Sequence, residues 1–312
     1  MSSAILSSSS GIPQAAQVTS ARRPLLNIDD DTFRANIGRR PFTIAHRLSA
    51  HPLLALPNLI ELSRRLPAEN VRYNRGDVAP SQRIYTAAKN GLSIDETIRQ
   101  IEDCGSWLVL RFVEQDPDYR ALVDECLDEI QTLSEPVMPG MCKREGFIFI
   151  TSPGSVTPFH ADPEYNFLMQ IRGTKRASLF DVSDRSIVSE EVLEKYLAEG
   201  PFCGEFKDEY QRKAFEFDLN PGDGLHFPLN WPHWIKNGNE VSISFSITFR
   251  TPQSERTSCI YSVNHELRKR GFNPTPFGKS AMLDSAKFNA YRATRRAKSL
   301  LGMKEARLPD SY

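Results

Sequence analysis

The residues best placed to do chemistry are His160 and Asp162, in the run Thr157-Pro158-Phe159-His160-Ala161-Asp162. On an extended segment, side chains two apart point to the same face. An imidazole and a carboxylate there can reach one ion together. A second imidazole would complete the set of two histidines and one carboxylate that holds non-haem Fe(II) and leaves positions open for a cosubstrate and O₂. That ligand must come from another strand, and the run from Gly222 to Trp234 offers two candidates, His226 and His233. By itself His-x-Asp is a weak signal, and its surroundings decide its weight.

Those surroundings are strand-like. After Pro139-Gly140, residues 146–151, 165–171, 175–181, 215–219, 224–227, 233–236 and 241–250 read as short strands. Turn chemistry separates them: Arg172-Gly173-Thr174, Asn220-Pro221-Gly222-Asp223 and Asn237-Gly238-Asn239. Many short strands joined by such turns predict an antiparallel sandwich or barrel, interrupted by a helical insertion near 188–213. The expected organisation has four parts. Residues 1–25 are Ser-rich and expected to be disordered; 26–135 form a mainly helical region packing on the core; 136–255 form the core; 256–312 form a basic helical tail. Within the second part, Ser93 with Glu96 predicts a capped helix start, 107–112 a buried strand, and 119–132 a helix.

Composition limits the function classes. The chain has 312 residues, 40% hydrophobic and 25% charged, with a formal net charge of zero. That balance argues against a nucleic-acid or membrane partner. Five scattered cysteines without CxxC spacing suggest neither a disulfide framework nor a zinc-thiolate site. No basic-then-apolar leader opens the sequence, so a cytoplasmic location is expected.

Read in order, the motifs are Val156-Thr157-Pro158-x-His160-x-Asp162, Asn166, and Gln170-Ile171-x-Gly173-x-Lys175-Arg176. After the insertion come Pro221-Gly222-Asp223-x-Leu225-x-Phe227-Pro228 and Trp231-x-His233-x-Ile235. This series resembles the JmjC/cupin-like hydroxylases, the family that includes the asparaginyl hydroxylase acting on hypoxia-inducible factor. The resemblance implies a double-stranded β-helix (jelly-roll, cupin) core with helical additions, Fe(II) and 2-oxoglutarate as cofactor and cosubstrate, and His160, Asp162 and His233 as the metal ligands. It favours His233 over His226, whose position the family usually fills with an aromatic residue. It also implies that Thr157 and Lys175 bind the far carboxylate of 2-oxoglutarate, where a lysine supplies a charge-assisted hydrogen bond, and that Asn166 contacts its iron-bound end. Arg176 should point to the opposite face and be solvated.

Two departures stand out. A tyrosine that assists this lysine and threonine in the asparaginyl hydroxylase aligns with Val109, with Arg111 on the same strand face as a candidate substitute. An asparagine late on that enzyme's final core strand is Ser246 here, placed with the cosubstrate-binding residues. The implied activity is hydroxylation of a small molecule or a protein side chain. N-methyl demethylation by the same mechanism and a non-catalytic cupin-like binding protein are the alternatives. The tail helix expected over 285–301 carries Phe288, Tyr291, Leu300 and Leu301 for a homodimer contact. It also carries Arg292, Arg295, Arg296 and Lys298 for an acidic partner or RNA, or simply for a solvated face.

Overall fold

A computed structural model describes residues 23–301, apart from 84–86 and 203. The Ser-rich segment expected to be disordered lies almost wholly outside the described residues. The strands are β1 (Leu26–Asn27), β2 (Phe42–His46), β3 (Val71–Arg75), β4 (Ser106–Arg111), β5 (Cys142–Thr151), β6 (Val156–His160), β7 (Tyr165–Arg172), β8 (Lys175–Leu179), β9 (Phe215–Leu219), β10 (Asp223–Phe227), β11 (His233–Asn237) and β12 (Ser242–Arg250). They form two antiparallel sheets, ordered β1-β2-β10-β7-β12-β5-β4-β3 and β6-β11-β8-β9. This is the expected jelly-roll.

Alternation with period two assigns the faces. Ile243, Phe245, Ile247 and Phe249 of β12 join the core on the outer side of the large sheet. Ser246 stands opposite Phe147 and Leu168 and so shares their side. Phe147 and Leu168 belong to the second core, together with Ala177, Leu179 and Ile235 of the small sheet. The space between the sheets is thus apolar on most sides and polar along β12.

Helices cover the outer side: α1 (Asp30–Asn36), α2 (Leu56–Arg65), α3 (Ile94–Arg99) and α4 (Pro117–Ser134). Ser93 and Glu96 form the capping box that starts α3. Gly146 lets α4 approach β5, because a Cβ there would lie 2.6 Å from the Val123 side chain. The region 26–135, expected to be mainly helical, also supplies β1 to β4 to the large sheet. Its strands at 42–46 and 71–75 were not read from the sequence: the first does alternate buried and exposed residues, while the second has no such pattern and takes its stability from its pairing with β4.

The insertion contains α5 (Glu190–Glu199) and a 3₁₀ turn at Asp208–Lys213. Leu193, Tyr196 and Leu197 of α5 pack with Phe159, Phe180 and Tyr261 in a third core. Tyr261 lies on α6 (Pro252–Lys269), against which α7 (Ala281–Leu300) packs in turn. No helix among the described residues is long and apolar enough to cross a membrane.

Candidate metal centre and adjoining pocket

Strands β6 and β11 place the two imidazoles. His233 stands directly opposite His160 in the ladder, with ring centroids 4.2 Å apart. Asp162 follows β6 by two residues, and one ligand atom from each of the three groups lies within 4.8 Å of the others. Each histidine Nδ1 faces the carbonyl two residues back in its own chain, Pro158 O at 2.7 Å and Trp231 O at 2.9 Å. A carbonyl can only accept, so each Nδ1 carries the proton and each Nε2 presents a lone pair. Those Nε2 atoms face the carboxylate, at 3.7 Å from Asp162 Oδ1 for His160 and 3.8 Å from Oδ2 for His233.

These gaps are too wide for hydrogen bonds, yet two bonds of about 2.1 Å to one ion would bridge them. Burial, aided by the neighbouring His160, holds the His233 pKa well below the ordinary histidine value, so its imidazole is neutral. Two imidazoles and one carboxylate, all buried, fit a divalent first-row metal ion.

Other groups hold this arrangement in place. Asn230, in the left-handed region at φ 61°, donates its backbone N–H to Asp162 O at 2.9 Å, tying the β10–β11 loop to the ligand segment. Asparagine tolerates that conformation better than most residues. Tyr196 of α5 donates its hydroxyl to the carbonyl of Ala161, between the two β6-side ligands, at 2.6 Å. Ser246 Oγ donates to Asn166 Oδ1 at 2.7 Å, and Asn166 Nδ2 donates to Asp162 Oδ2 at 3.2 Å. The hydroxyl fixes which way the amide faces, and the amide fixes the carboxylate.

On one side of the triad, Phe149, Thr157, Asn166, Lys175, Phe227 and His233 line a narrow pocket. Gly173 delivers Lys175 to it. At φ +67° this glycine turns β7 into β8, and a Cβ there would lie 2.4 Å from Val241 O. Lys175 is buried, and burial brings its pKa down to about 7. No carboxylate forms an ion pair with it among the described residues. A cation held this way in a dry pocket favours an anion. On the other side, His160 borders a separate, more polar cleft with Gln82, Arg83, Phe159, Phe202 and Glu205.

The remaining sequence candidates fall elsewhere. His226 faces the outer side of the large sheet, since Leu225 and Phe227 beside it face the interior. Its ring sits 5.0 Å from Phe42 and 4.6 Å from Phe167. Nδ1–H donates to Asn166 O at 3.1 Å, and Nε2 accepts the Gly38 N–H at 3.2 Å. Burial pushes its pKa down to about 3. It is fully buried and lines neither the lysine pocket nor the cleft beside His160. Ser246 does not line the lysine pocket but lies behind Asn166. Arg176 is exposed and pairs with Asp218 at 2.6 Å.

Val109 is buried in the core between the sheets, and Arg111 does not line the pocket but lies over the Phe112 ring. The residue that meets Thr157 from β4 is Trp107, whose indole N–H donates to Thr157 Oγ1 at 3.1 Å. It shares the face of Val109 two residues away, a period-two signal that could have found it.

The cupin-like domain profile matches residues 72–255, more than half of the chain. The chain belongs to the cupin-like domain family. Lysine-specific demethylase 8 of Xenopus tropicalis is 33% identical to this cupin-like chain over 104 residues, 31% of this chain and 22% of that protein. HSPB1-associated protein 1 of Rattus norvegicus is 25% identical over 143 residues, covering 41% of this chain and 30% of that protein. The match therefore spans less than a third of the length of either relative. A solved structure of YcfD from E. coli aligns over 86% of this chain and 68% of that one, at 16% identity and a TM-score of 0.49.

Proposed function

We propose that this cupin-like chain is an Fe(II)- and 2-oxoglutarate-dependent oxygenase that hydroxylates a small molecule or a protein side chain. One observation carries the reading: two imidazole lone pairs and a carboxylate converge beside a pocket that holds a buried lysine with no carboxylate ion-paired to it among the described residues. His160, Asp162 and His233 would hold the iron. Lys175, with the Thr157 hydroxyl in the same pocket, would receive the far carboxylate of the dianion. Bound together, iron and 2-oxoglutarate supply O₂-driven oxidation of a C–H bond, with succinate and CO₂ as co-products.

The chain's own part is positioning. Asn166 and Ser246 fix the Asp162 carboxylate, Phe149 and Phe227 keep the lysine pocket dry, and the cleft beside His160 admits the substrate. Cys104, Cys126, Cys142 and Cys259 are free thiols, which suits a reducing, cytoplasmic setting. The test is anaerobic titration with Fe(II) and 2-oxoglutarate, followed by succinate measurement in air. Wild type should develop a visible ferrous charge-transfer band and release succinate, and His233→Ala should do neither. No band in wild type, or a band that persists in the variant, would sink the proposal.

A second reading is N-methyl demethylation, favoured by the 33% identity to a protein named lysine-specific demethylase 8. Formaldehyde released from a methyl-lysine peptide would select it over simple hydroxylation.

A further inference from the structure

Away from the metal centre, α6 and α7 enclose a groove lined by Arg256, Arg292, Arg295 and Arg296. Glu255 is the one carboxylate among the described lining residues, and it pairs with Lys143. Arg256, Arg292 and Arg296 form no ion pair among the described residues, so the groove concentrates positive charge in a chain whose formal net charge is zero. The cations are arranged rather than scattered. The Arg256 and Arg292 guanidiniums lie 4.5 Å and 5.8 Å from the Phe288 ring centroid, contacts that restrain long side chains and orient their donors.

On α7, positions 292, 295 and 296 are spaced i, i+3 and i+4, so they share one face. Residues four apart on a helix rise about 6 Å along its axis. An opposing helix with carboxylates at the same spacing would match them. Every cation lining the groove among the described residues is an arginine, whose planar fork pairs with carboxylates in a way that lysine does not. Phe288 and Tyr291 give the groove an apolar floor.

We propose that this groove docks an acidic, amphipathic helical segment of a partner protein. Its carboxylates at i, i+3/i+4 and i+7 meet Arg292, Arg295 and Arg296, and an apolar side chain of the segment rests against Tyr291 and the edge of the Phe288 ring. A nucleic acid suits the groove less well, because Phe288 is already engaged by two guanidiniums and offers no free platform for base stacking.

The test uses the full chain and fluorescence anisotropy at about 0.15 M NaCl, where diffuse charge attraction is largely screened. The probe is a labelled helix-forming peptide of about 20 residues, built from Ala, Leu and Glu with the Glu on one face at the stated spacing. The patterned peptide should bind. Its sequence-scrambled counterpart should bind at least about fivefold more weakly, and Arg292→Ala with Arg296→Ala should weaken the patterned peptide by about tenfold or more. The Arg292→Lys/Arg296→Lys pair, which keeps charge but loses the fork, should fall between. Circular dichroism should match wild type for both pairs, since these side chains are exposed.

Equal binding of patterned and scrambled peptides, or no binding, would overturn the proposal. So would a single-stranded RNA of similar length that binds more tightly and depends on the same arginines. Sedimentation that shows a homodimer dissociated by the alanine pair would also overturn it, because a second copy would then occupy the groove.

Discussion

Replacing Lys175 by methionine should make the ligand-free protein more stable while abolishing its response to 2-oxoglutarate. An ordinary lysine titrates near 10.5, whereas burial brings this one to about 7. Below pH 7 both the folded and the unfolded chain carry the proton, so folding bears the whole cost of burying the charge. Between pH 7 and 10.5 folding releases the proton, and the stability of wild type rises with pH. At 1.36 kcal/mol per pKa unit, the cost is about 5 kcal/mol at pH 6 and about 2 kcal/mol at pH 9.

A methionine of similar length bears neither cost. Lys175→Met should therefore stabilise the metal-free protein by up to about 5 kcal/mol at pH 6 and by about 2 kcal/mol at pH 9, read from urea unfolding at the two pH values. With Mn(II) and 2-oxoglutarate present, wild type should gain thermal stability and the variant should not. Lower stability of the variant at both pH values would refute the reasoning, because it would mean that the folded state already stabilises the ammonium.

Ser246→Ala should lower Mn(II) affinity by about tenfold in calorimetry, by freeing the Asn166 amide that orients Asp162. Wild-type-like affinity would show that the amide holds its orientation without the hydroxyl. His226→Phe should cost about 1–3 kcal/mol in urea unfolding, since the Gly38 N–H and the Asn166 carbonyl lose their buried partner. Metal affinity should be kept; its loss would move His226 into the metal centre. Arg176→Ala should leave both the melting temperature and 2-oxoglutarate binding unchanged, because its neighbour alone faces the pocket; weakened binding would show that the exposed pair with Asp218 supports β8.

Much of the metal centre was legible because it depends on short-range periodicity. His160 and Asp162 are two apart at the end of one strand, and Gly173 marks the turn that starts Lys175 on its strand. Lys175 and Arg176 on opposite faces follow from alternation alone. What was not legible depends on register between distant strands. The Ser246–Asn166 contact exists because β12 pairs with β7 across an irregularity between Ile243 and Ser244, which no local pattern announces. The direction of His226 depended on which face of β10 turned inward, and Leu225 and Phe227 decide that only once β10 is paired with β7 and β2. The strand at 71–75 is a sheet edge whose own residues carry little of the signal, whereas the one at 42–46 lies inside the two-residue β1 and alternates buried and exposed residues over only five positions.

The hydroxyl of Tyr196 on the carbonyl of Ala161 has a consequence for how such a protein can change. The same insertion that grips the ligand-bearing segment also supplies Phe202 and Glu205 to the cleft beside His160. Door and hinge are cut from one piece of chain. A graft of 188–213 from a relative would carry a new mouth into the protein and, unless it brought a phenol to the same carbonyl, loosen the seat of the metal in the same stroke. Retargeting this scaffold is therefore a problem of conserving one hydrogen bond while everything around it is rewritten.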